Sequence, residues 1–185
     1  MSAAEVTLSC CAADVVELAA LRAREEALRA AAAQRGIALP ACGALAVGGT
    51  GLALSVRPGR WLLLSEPLAA GAAARQWGSA TAGCAAAVDL SSGLAALRLA
   101  GPAAHEALAR GCRLDLAQFA HGRAAATLIA QVSTLLAALP SGMLILTPTS
   151  TAQHLREWLA EAARPFGFAL EAEWTVSALS GDRTL

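Results

Sequence analysis

The stretch CAAAVDLSSGLAALRLAGPAAHEALARG, residues 84–111, carries the strongest structural signals in the chain. Two apolar runs, 84–90 and 94–100, flank a polar Ser-Ser-Gly turn, a pattern that predicts a β-hairpin. A Gly-Pro pair at 101–102 then opens a helix that runs to Arg110 and is closed by the next glycine. Because a hairpin followed by a single helix does not fit an all-parallel sheet, this stretch favours an α+β fold.

The residues upstream of this stretch predict a meander of strands and then a helix. Apolar runs at 44–47, 52–56 and 61–64 are separated by a glycine-rich segment and a Pro-Gly turn, which are hairpin signals. A helix is predicted from Pro67 to Trp77, because proline is tolerated in a first helical turn.

The first part of the chain leaves one alternative open. Residues 5–8 predict a strand, whereas residues 14–22 fit either a second strand or a helix capped by Asp14. Residues 24–35 predict a helix, because alanines dominate this segment and Gly36 follows where a left-handed cap is expected.

The downstream residues continue the alternation of strands and helices. Residues 124–138 predict one long strand, which pairs with a strand at 143–147. Ser150 and Gln153 match a capping box for the last helix, and residues 170–176 predict a final strand. We therefore expect an α+β class with antiparallel or mixed sheets and helices on one face.

Length and composition narrow the class of protein. The 185 residues are expected to form a single domain, 1–185, with a division into two lobes of about 1–80 and 81–185 left open. Lys and Arg (14) balance Asp and Glu (14), so the basic face that nucleic-acid binding requires is not predicted. The chain is 56% hydrophobic, but no run of about 20 uncharged apolar residues indicates a membrane span, and no secretory signal is recognised. A cytoplasmic protein is expected.

The cysteines and histidines do not form a recognisable metal motif. The five cysteines are scattered without a C-x-x-C pair, so we interpret them as small apolar residues in a reducing compartment rather than as a disulfide framework. The three histidines match neither H-E-x-x-H nor H-x-x-x-H. No metal-binding residue is assigned.

Two aspartates stand between apolar neighbours, a setting that demands hydrogen bonds. For Asp89 we expect the carboxylate to accept the backbone N–H groups of Ser91 and Ser92 in an Asx turn. For Asp115 we expect the side chain to cap or fix the connection at 112–122. Both aspartates are therefore interpreted as structural.

A nucleophile paired with a base is a weaker hypothesis. Ser91 or Cys112 with His121 would supply the residue types, but no G-x-S-x-G motif is present. The glycine-rich segment 48–51 does not match G-x-G-x-x-G and is interpreted as a turn. No catalytic or cofactor-binding residue is assigned, which favours a role in binding or assembly.

The remaining aromatic and histidine residues have simple expectations. Trp61, Trp158 and Trp174 are expected to fill the core. His154 falls beside the apolar stripe of the last helix and is expected to face solvent.

Three consecutive motifs resemble the gamma subunit of heterotetrameric sarcosine oxidase. The family's D-x-S, L-x-L-x-G-P-x-A and G-C-x-x-D-L patterns succeed one another here at residues 88–94, 97–104 and 108–116. The segments GIALP at 36–40 and PGRWLLL at 58–64 are similar to its G-x-x-L-P and P-x-x-W-L-L patterns. The order and spacing of the motifs, rather than any one of them, carry the resemblance.

This resemblance implies a fold and a complex. The family is related to the folate-binding domains of glycine-cleavage T-proteins (aminomethyltransferases), which favours a strand at 14–22. It implies a bacterial, cytoplasmic oxidoreductase complex of one-carbon metabolism with alpha, beta and delta partner subunits. In such a complex NAD and tetrahydrofolate bind alpha, FAD binds beta, FMN lies between those two subunits, and zinc binds delta. The complex converts sarcosine to glycine, hydrogen peroxide and a one-carbon unit on tetrahydrofolate.

The chain itself is then expected to be a non-catalytic subunit that binds no cofactor and docks on alpha. One alternative is a free-standing folate-binding protein of the T-protein class, with Asp89 as the candidate for contacting the pterin. A second is a similar subunit of an oxidase for another N-methyl amino acid. A third, a small acyl-transfer enzyme, would use Cys112 or Ser91 with His121.

Overall fold

The structure, a computed structural model, describes residues 5–49 and 51–180. Its elements in chain order are β1 (Val6–Ala12), β2 (Asp14–Ala20), α1 (Glu25–Gln34), β3 (Ala44–Gly48), β4 (Gly51–Arg57), β5 (Arg60–Ser65), α2 (Ala72–Ala80), β6 (Ala85–Asp89), β7 (Leu94–Ala100), α3 (Ala104–Ala109), β8 (Ala124–Ile129), β9 (Val132–Leu139), β10 (Gly142–Pro148), α4 (Thr149–Ala163), β11 (Phe168–Leu170), β12 (Trp174–Thr175) and α5 (Ser177–Ser180).

These elements group into two compact units. One contains residues 5–11 and 93–174 and is named here the seven-stranded unit; the other contains 12–92 and 175–180 and is named the five-stranded unit. The expectation of a single domain with lobes near 1–80 and 81–185 stays a prediction.

The five-stranded unit contains an antiparallel sheet in the order β3-β4-β5-β2-β6. The predicted meander at 44–64 is confirmed as β3, β4 and β5. The alternative left open for residues 14–22 is resolved in favour of a strand, since β2 pairs with both β5 and β6. Helix α1 ends beside Gly36, which has the left-handed φ of +78° expected of its position.

The predicted start of the next helix at Pro67 is wrong. Helix α2 begins at Ala72, after Gly71 with a φ of +70°, and extends to Ala80. The carboxylate of Asp14 accepts the backbone N–H of Leu68 at 3.0 Å, which anchors the chain before the helix in a non-helical path.

An aromatic residue organises the core of the five-stranded unit. Trp61 is fully buried and donates its indole N–H to the carbonyl oxygen of Pro40 at 2.8 Å, so its one polar atom is satisfied. The residues buried with it belong to the sheet, to helices α1 and α2 and to their connections: Val16, Leu18, Leu28, Ala32, Ile37, Leu39, Ala53, Leu63, Ala73, Trp77 and Cys84.

The seven-stranded unit contains the order β11-β1-β7-β10-β9-β8, with β12 pairing β1. The pair β1 and β11 is parallel, and the four other pairs along this order are antiparallel. The sheet is therefore mixed, and the predicted α+β class is confirmed.

The predicted hairpin of 84–90 with 94–100 is wrong. Strand β6 pairs with β2, whereas β7 pairs with β1 and β10. Around the Ser-Ser-Gly segment, the N–H of Leu90 donates to the carbonyl of Val15, and the N–H of Val15 donates to the hydroxyl of Ser91. These bonds attach the end of β6 to β2, and the chain then passes into the seven-stranded unit.

The predicted single strand at 124–138 is also wrong, because it folds back on itself as the hairpin of β8 and β9. Ala130 and Gln131 form the two-residue loop, with φ values of +50° and +66°. Both residues of a type I′ turn need positive φ, a conformation usually signalled by Asn or Gly, so this turn has no sequence signal. The pairing of residues 143–147 with the preceding strand is confirmed.

The end of the seven-stranded unit departs from two local predictions. Helix α4 begins after Pro148 without a side-chain cap, and the Gln153 amide donates to Glu157 at 2.7 Å, so the capping box is wrong. The predicted strand at 170–176 is wrong as a continuous strand, because β11 and β12 are separated. The backbone N–H of Glu171 donates to the carbonyl of Leu8 and so continues the parallel pattern one residue past β11.

The core of the seven-stranded unit lies between its sheet and helices α3 and α4. Trp174 is buried and Trp158 is partly buried against this core, while His154 is exposed, as expected. The fully buried leucine and isoleucine side chains of this core are Leu8, Leu97, Leu99, Leu108, Ile129, Leu136, Ile145, Leu155 and Leu159. No helix among the described residues is long and apolar enough to cross a membrane.

Candidate functional site

The turn after β6 is organised by one carboxylate. Oδ1 of Asp89 accepts the backbone N–H of Ser91 at 3.0 Å and the Ser91 hydroxyl at 2.6 Å, which confirms the Asx-turn prediction for that residue. These two bonds hold the pKa of Asp89 below its ordinary value, with a smaller contribution from the positive charge of Arg75. Slight burial acts in the opposite direction. The side chain is exposed and ionised, and it has a structural role.

The second aspartate also acts locally. Oδ1 of Asp115 accepts the N–H of Ala117 at 3.1 Å, and Oδ2 accepts the side-chain amide of Gln118 at 2.8 Å. This caps a single 3-10 turn at Leu116–Gln118 and confirms the predicted role in the 112–122 connection.

The proposed nucleophiles have partners other than a histidine. The Ser91 hydroxyl donates to Asp89 and accepts from the N–H of Val15. Within the seven-stranded unit, the sulfur of Cys112 lies 3.9 Å from the hydroxyl of Thr127. A serine hydroxyl whose proton is directed to a carboxylate is not activated by an imidazole.

His121 lies in another part of the seven-stranded unit. Together with His105 it lines a cavity of about 280 Å³, whose other walls are the Gly101 and Gly142 turns. Both imidazoles are exposed, and no group of three or more His, Cys, Asp or Glu side chains among the described residues is arranged to hold a metal ion. Sequence reasoning did not predict that these two histidines share a cavity, because residues 105 and 121 follow no motif.

The glycine-rich segment 48–51 is a tight strand connection, as interpreted from the sequence, although Thr50 lies outside the described residues. Gly48 and Gly51 pair across β3 and β4. A Cβ on Gly51 would lie 2.0 Å from the carbonyl oxygen of Leu64, and its φ is +147°, so only glycine fits this close backbone approach.

A cavity of about 490 Å³ within the five-stranded unit was missed by sequence reasoning. It combines a carboxylate, Glu66, and a cation, Arg35, with an indole, Trp77, on an apolar floor. The Arg35 guanidinium lies 5.1 Å from the centre of the Trp77 ring and donates to the side-chain oxygen of Gln76 at 3.5 Å. One oxygen of Glu66 accepts the N–H of Ser177 at the start of α5. This volume and mixed lining are typical of small-molecule sites.

Four large apolar side chains are exposed among the described residues. Leu21, Leu68 and Val88 belong to the five-stranded unit, and Leu170, which is 65% exposed, belongs to the seven-stranded unit. Val88 is 48% exposed on β6, the last strand of its sheet.

Comparison with solved structures gives an extensive match. Over 91% of this chain and 89% of the other, the structure is similar to a chain of the heterotetrameric sarcosine oxidase from Corynebacterium sp. U-96 in complex with pyrrole 2-carboxylate, with a TM-score of 0.78 and 27% identity. This chain resembles a sarcosine oxidase chain. The resemblance found in the sequence motifs is thus confirmed. No family model matches the chain, and no curated protein sequence matches it.

A second similarity concerns the fold alone. The glycine cleavage system aminomethyltransferase T from Bartonella henselae matches with a TM-score of 0.67 and 17% identity, over 92% of this chain and 48% of that protein. This chain therefore spans about half of the aminomethyltransferase. The predicted T-protein-like fold is thus confirmed for this chain.

Proposed function

We propose that this chain is the gamma-type subunit of a sarcosine oxidase-like complex and that its role is assembly rather than catalysis. The observation that carries the proposal is the match to a chain of a heterotetrameric oxidase over about nine-tenths of both chains. A match that covers nearly all of both chains favours a complete subunit of the same kind over one part of a different enzyme.

The internal bonding of the polar candidates supports this role. Asp89 and Asp115 are used in turns, and the Ser91 hydroxyl is held by Asp89. In the proposed complex alpha, beta and delta subunits carry FAD, FMN, NAD, zinc and tetrahydrofolate, and this chain binds none of them. The complex oxidises sarcosine or another N-methyl amino acid in the cytoplasm.

The proposal is tested by purifying the complex through an affinity tag on this chain from the cells that express it naturally. We expect a yellow preparation with flavin absorbance, containing larger flavin-bearing chains and a small fourth chain identified by mass spectrometry. An assay of sarcosine oxidation, in which the hydrogen peroxide released is measured, then identifies the substrate. A colourless preparation of the 18.6 kDa chain alone would contradict the proposal.

The cavity at Glu66 supports a second candidate, a free-standing folate-binding protein. A pterin ring presents amino and N–H donors to a carboxylate, and the cavity offers Glu66 rather than Asp89 for this contact. Trp77 lines the same cavity, so binding of 5-formyltetrahydrofolate should quench its fluorescence. We expect saturable quenching that Glu66→Gln weakens by tenfold or more, with Glu106→Gln on α3 as the matched control. Unchanged fluorescence at millimolar ligand would refute this candidate.

A further inference from the structure

The five-stranded sheet ends in an open strand. Strand β6 pairs with β2 on one side only and is the last strand in the order β3-β4-β5-β2-β6. Two of its side chains are exposed on one face of the sheet, that of Ala86 and that of Val88, which is 48% exposed. An edge of this kind leaves main-chain donors and acceptors available for pairing.

The hydrogen-bond pattern identifies which groups are free. The bonds from Leu90 N–H to the Val15 carbonyl and from Leu21 N–H to the Cys84 carbonyl fix the residues of β6 that face β2. The backbone groups alternate in direction along an antiparallel pair. Those of Ala86 and Val88 therefore point toward β2, and those of Ala85, Ala87 and Asp89 point away from it, toward the open edge.

One of these outward groups already has a partner. The N–H of Ala85 donates to the carbonyl of Thr81 in the preceding turn at 3.0 Å. The N–H and C=O of Ala87, the N–H of Asp89 and the C=O of Ala85 have no backbone partner among the described residues. They are spaced to pair with a short extended segment.

Apart from its short length and the charge of Asp89 at its end, β6 lacks the usual protections of an edge strand. Its sequence, AAAVD, contains no proline and no lysine, and its pairing with β2 shows no bulge. Ala86 and Val88 form an exposed apolar strip on one face of β6, and the register places them opposite Ala19 and Glu17 of β2. The small side chains allow close approach, and the apolar strip supplies contact area for alternate residues of an added strand.

We propose that β6 receives an extended segment of a partner subunit as a sixth strand of this sheet. This inference rests on the proposed function, since the heterotetrameric architecture of the similar oxidase supplies the partner. The segment is free of proline and presents small or β-branched apolar side chains toward Ala86 and Val88.

The length of β6 argues against a second copy of this chain as the occupant. Five residues span roughly 17 Å at about 3.3 Å per residue. Two such edges placed side by side bury far less than the roughly 1,000 Å² that a stable interface needs. A segment of a larger subunit, in contrast, continues into further contacts beyond the strand.

The test uses variants of this chain in the tagged native complex. Ala87→Pro removes an outward N–H and leaves the pairing with β2 intact, because that N–H does not face β2. Val88→Lys adds a charge on the exposed strip and tests the same edge without altering the backbone. Leu170→Lys, at an exposed leucine of the other unit, is the matched control. Circular dichroism verifies that each variant folds.

We expect Ala87→Pro and Val88→Lys to reduce the flavin-bearing chains recovered with the tag by at least tenfold, and Leu170→Lys to leave recovery unchanged. In the wild-type complex, hydrogen exchange at the Ala87 and Asp89 amides should be at least tenfold slower than the unprotected rate. An intact complex with fast exchange at both amides would overturn this inference alone. A wild-type chain that recovers no flavin-bearing chain overturns the proposed function as well, and a wild-type dimer that Ala87→Pro dissociates overturns the choice of occupant.

Discussion

Substituting Gly111 with alanine should destabilise the protein through a single steric conflict. A Cβ at this position would lie 2.4 Å from Cζ2 and 2.7 Å from Cη2 of Trp158. Ordinary contacts of a Cβ begin near 3.4 Å, so the indole or the backbone must shift by about 1 Å.

Neither group can shift freely. The carbonyl of Gly111 accepts the N–H of Ala130 at 3.1 Å, which holds the backbone. Trp158 is packed against the core of the seven-stranded unit. Helices α3 and α4 are further joined by the Arg110 guanidinium, which donates to the carbonyl of Ala162 at 2.9 Å.

Overpacking of this kind costs about 1–3 kcal/mol, and we expect about 2 kcal/mol for Gly111→Ala. For a chain of this size that corresponds to a decrease in Tm of about 4–8 °C. Urea unfolding followed by far-UV circular dichroism measures the free energy, and Trp158→Leu provides the second background, because leucine lacks the conflicting ring atoms. We expect Gly111→Ala to cost less than about 0.5 kcal/mol in that background. An equal cost in both backgrounds would refute the steric explanation.

Three further changes test the turns and the candidate nucleophile. Because hydrogen bonds from Ser91 lower the pKa of Asp89 below 3.8, its carboxylate stabilises the fold above that pH, and the stabilisation is lost as the pH falls through the folded-state pKa. Asp89→Asn should therefore reduce the free energy of unfolding at pH 7 more than at pH 3; an equal loss at both pH values would contradict this. Replacing Ala130 by Asn and Gln131 by Gly should raise that free energy by about 1 kcal/mol, since both positions have positive φ, and no gain in urea unfolding would count against the turn assignment. Cys112→Ala should leave the oxidase activity of the complex unchanged, whereas abolished activity in a folded variant would restore the nucleophile hypothesis.

The sequence predicted the local hydrogen bonds of the two aspartates correctly but failed at the strand pairing around the Ser-Ser-Gly segment. The roles of Asp89 and Asp115 followed from bonds to residues two and three positions away, which local sequence specifies. The apolar runs on either side of the Ser-Ser-Gly segment were correctly recognised as strands, but their partners lie elsewhere in the chain. A polar tripeptide is compatible with a hairpin and equally with a passage between two sheets, so pairing was not determined locally.

The candidate cavity shows a different limit of sequence reasoning. Arg35 follows a helix, Glu66 follows a strand and Trp77 lies within another helix, and no motif links the three. Only the packing of α1, β5 and α2 brings them together. The hairpin at Ala130 and Gln131 was missed for the opposite reason, since its geometry is local but its residues are atypical for that geometry.

The division of the chain between the two units has a consequence for the order of synthesis and folding. The strands of the five-stranded unit lie in one continuous segment, 12–92, which can form its sheet while later residues are still being translated. Strand β1 precedes that segment, yet its partners are β7, β11 and β12, so it must wait for more than eighty further residues to emerge. During that interval an apolar strand remains unpaired on the nascent chain, and it is accessible to binding by a chaperone.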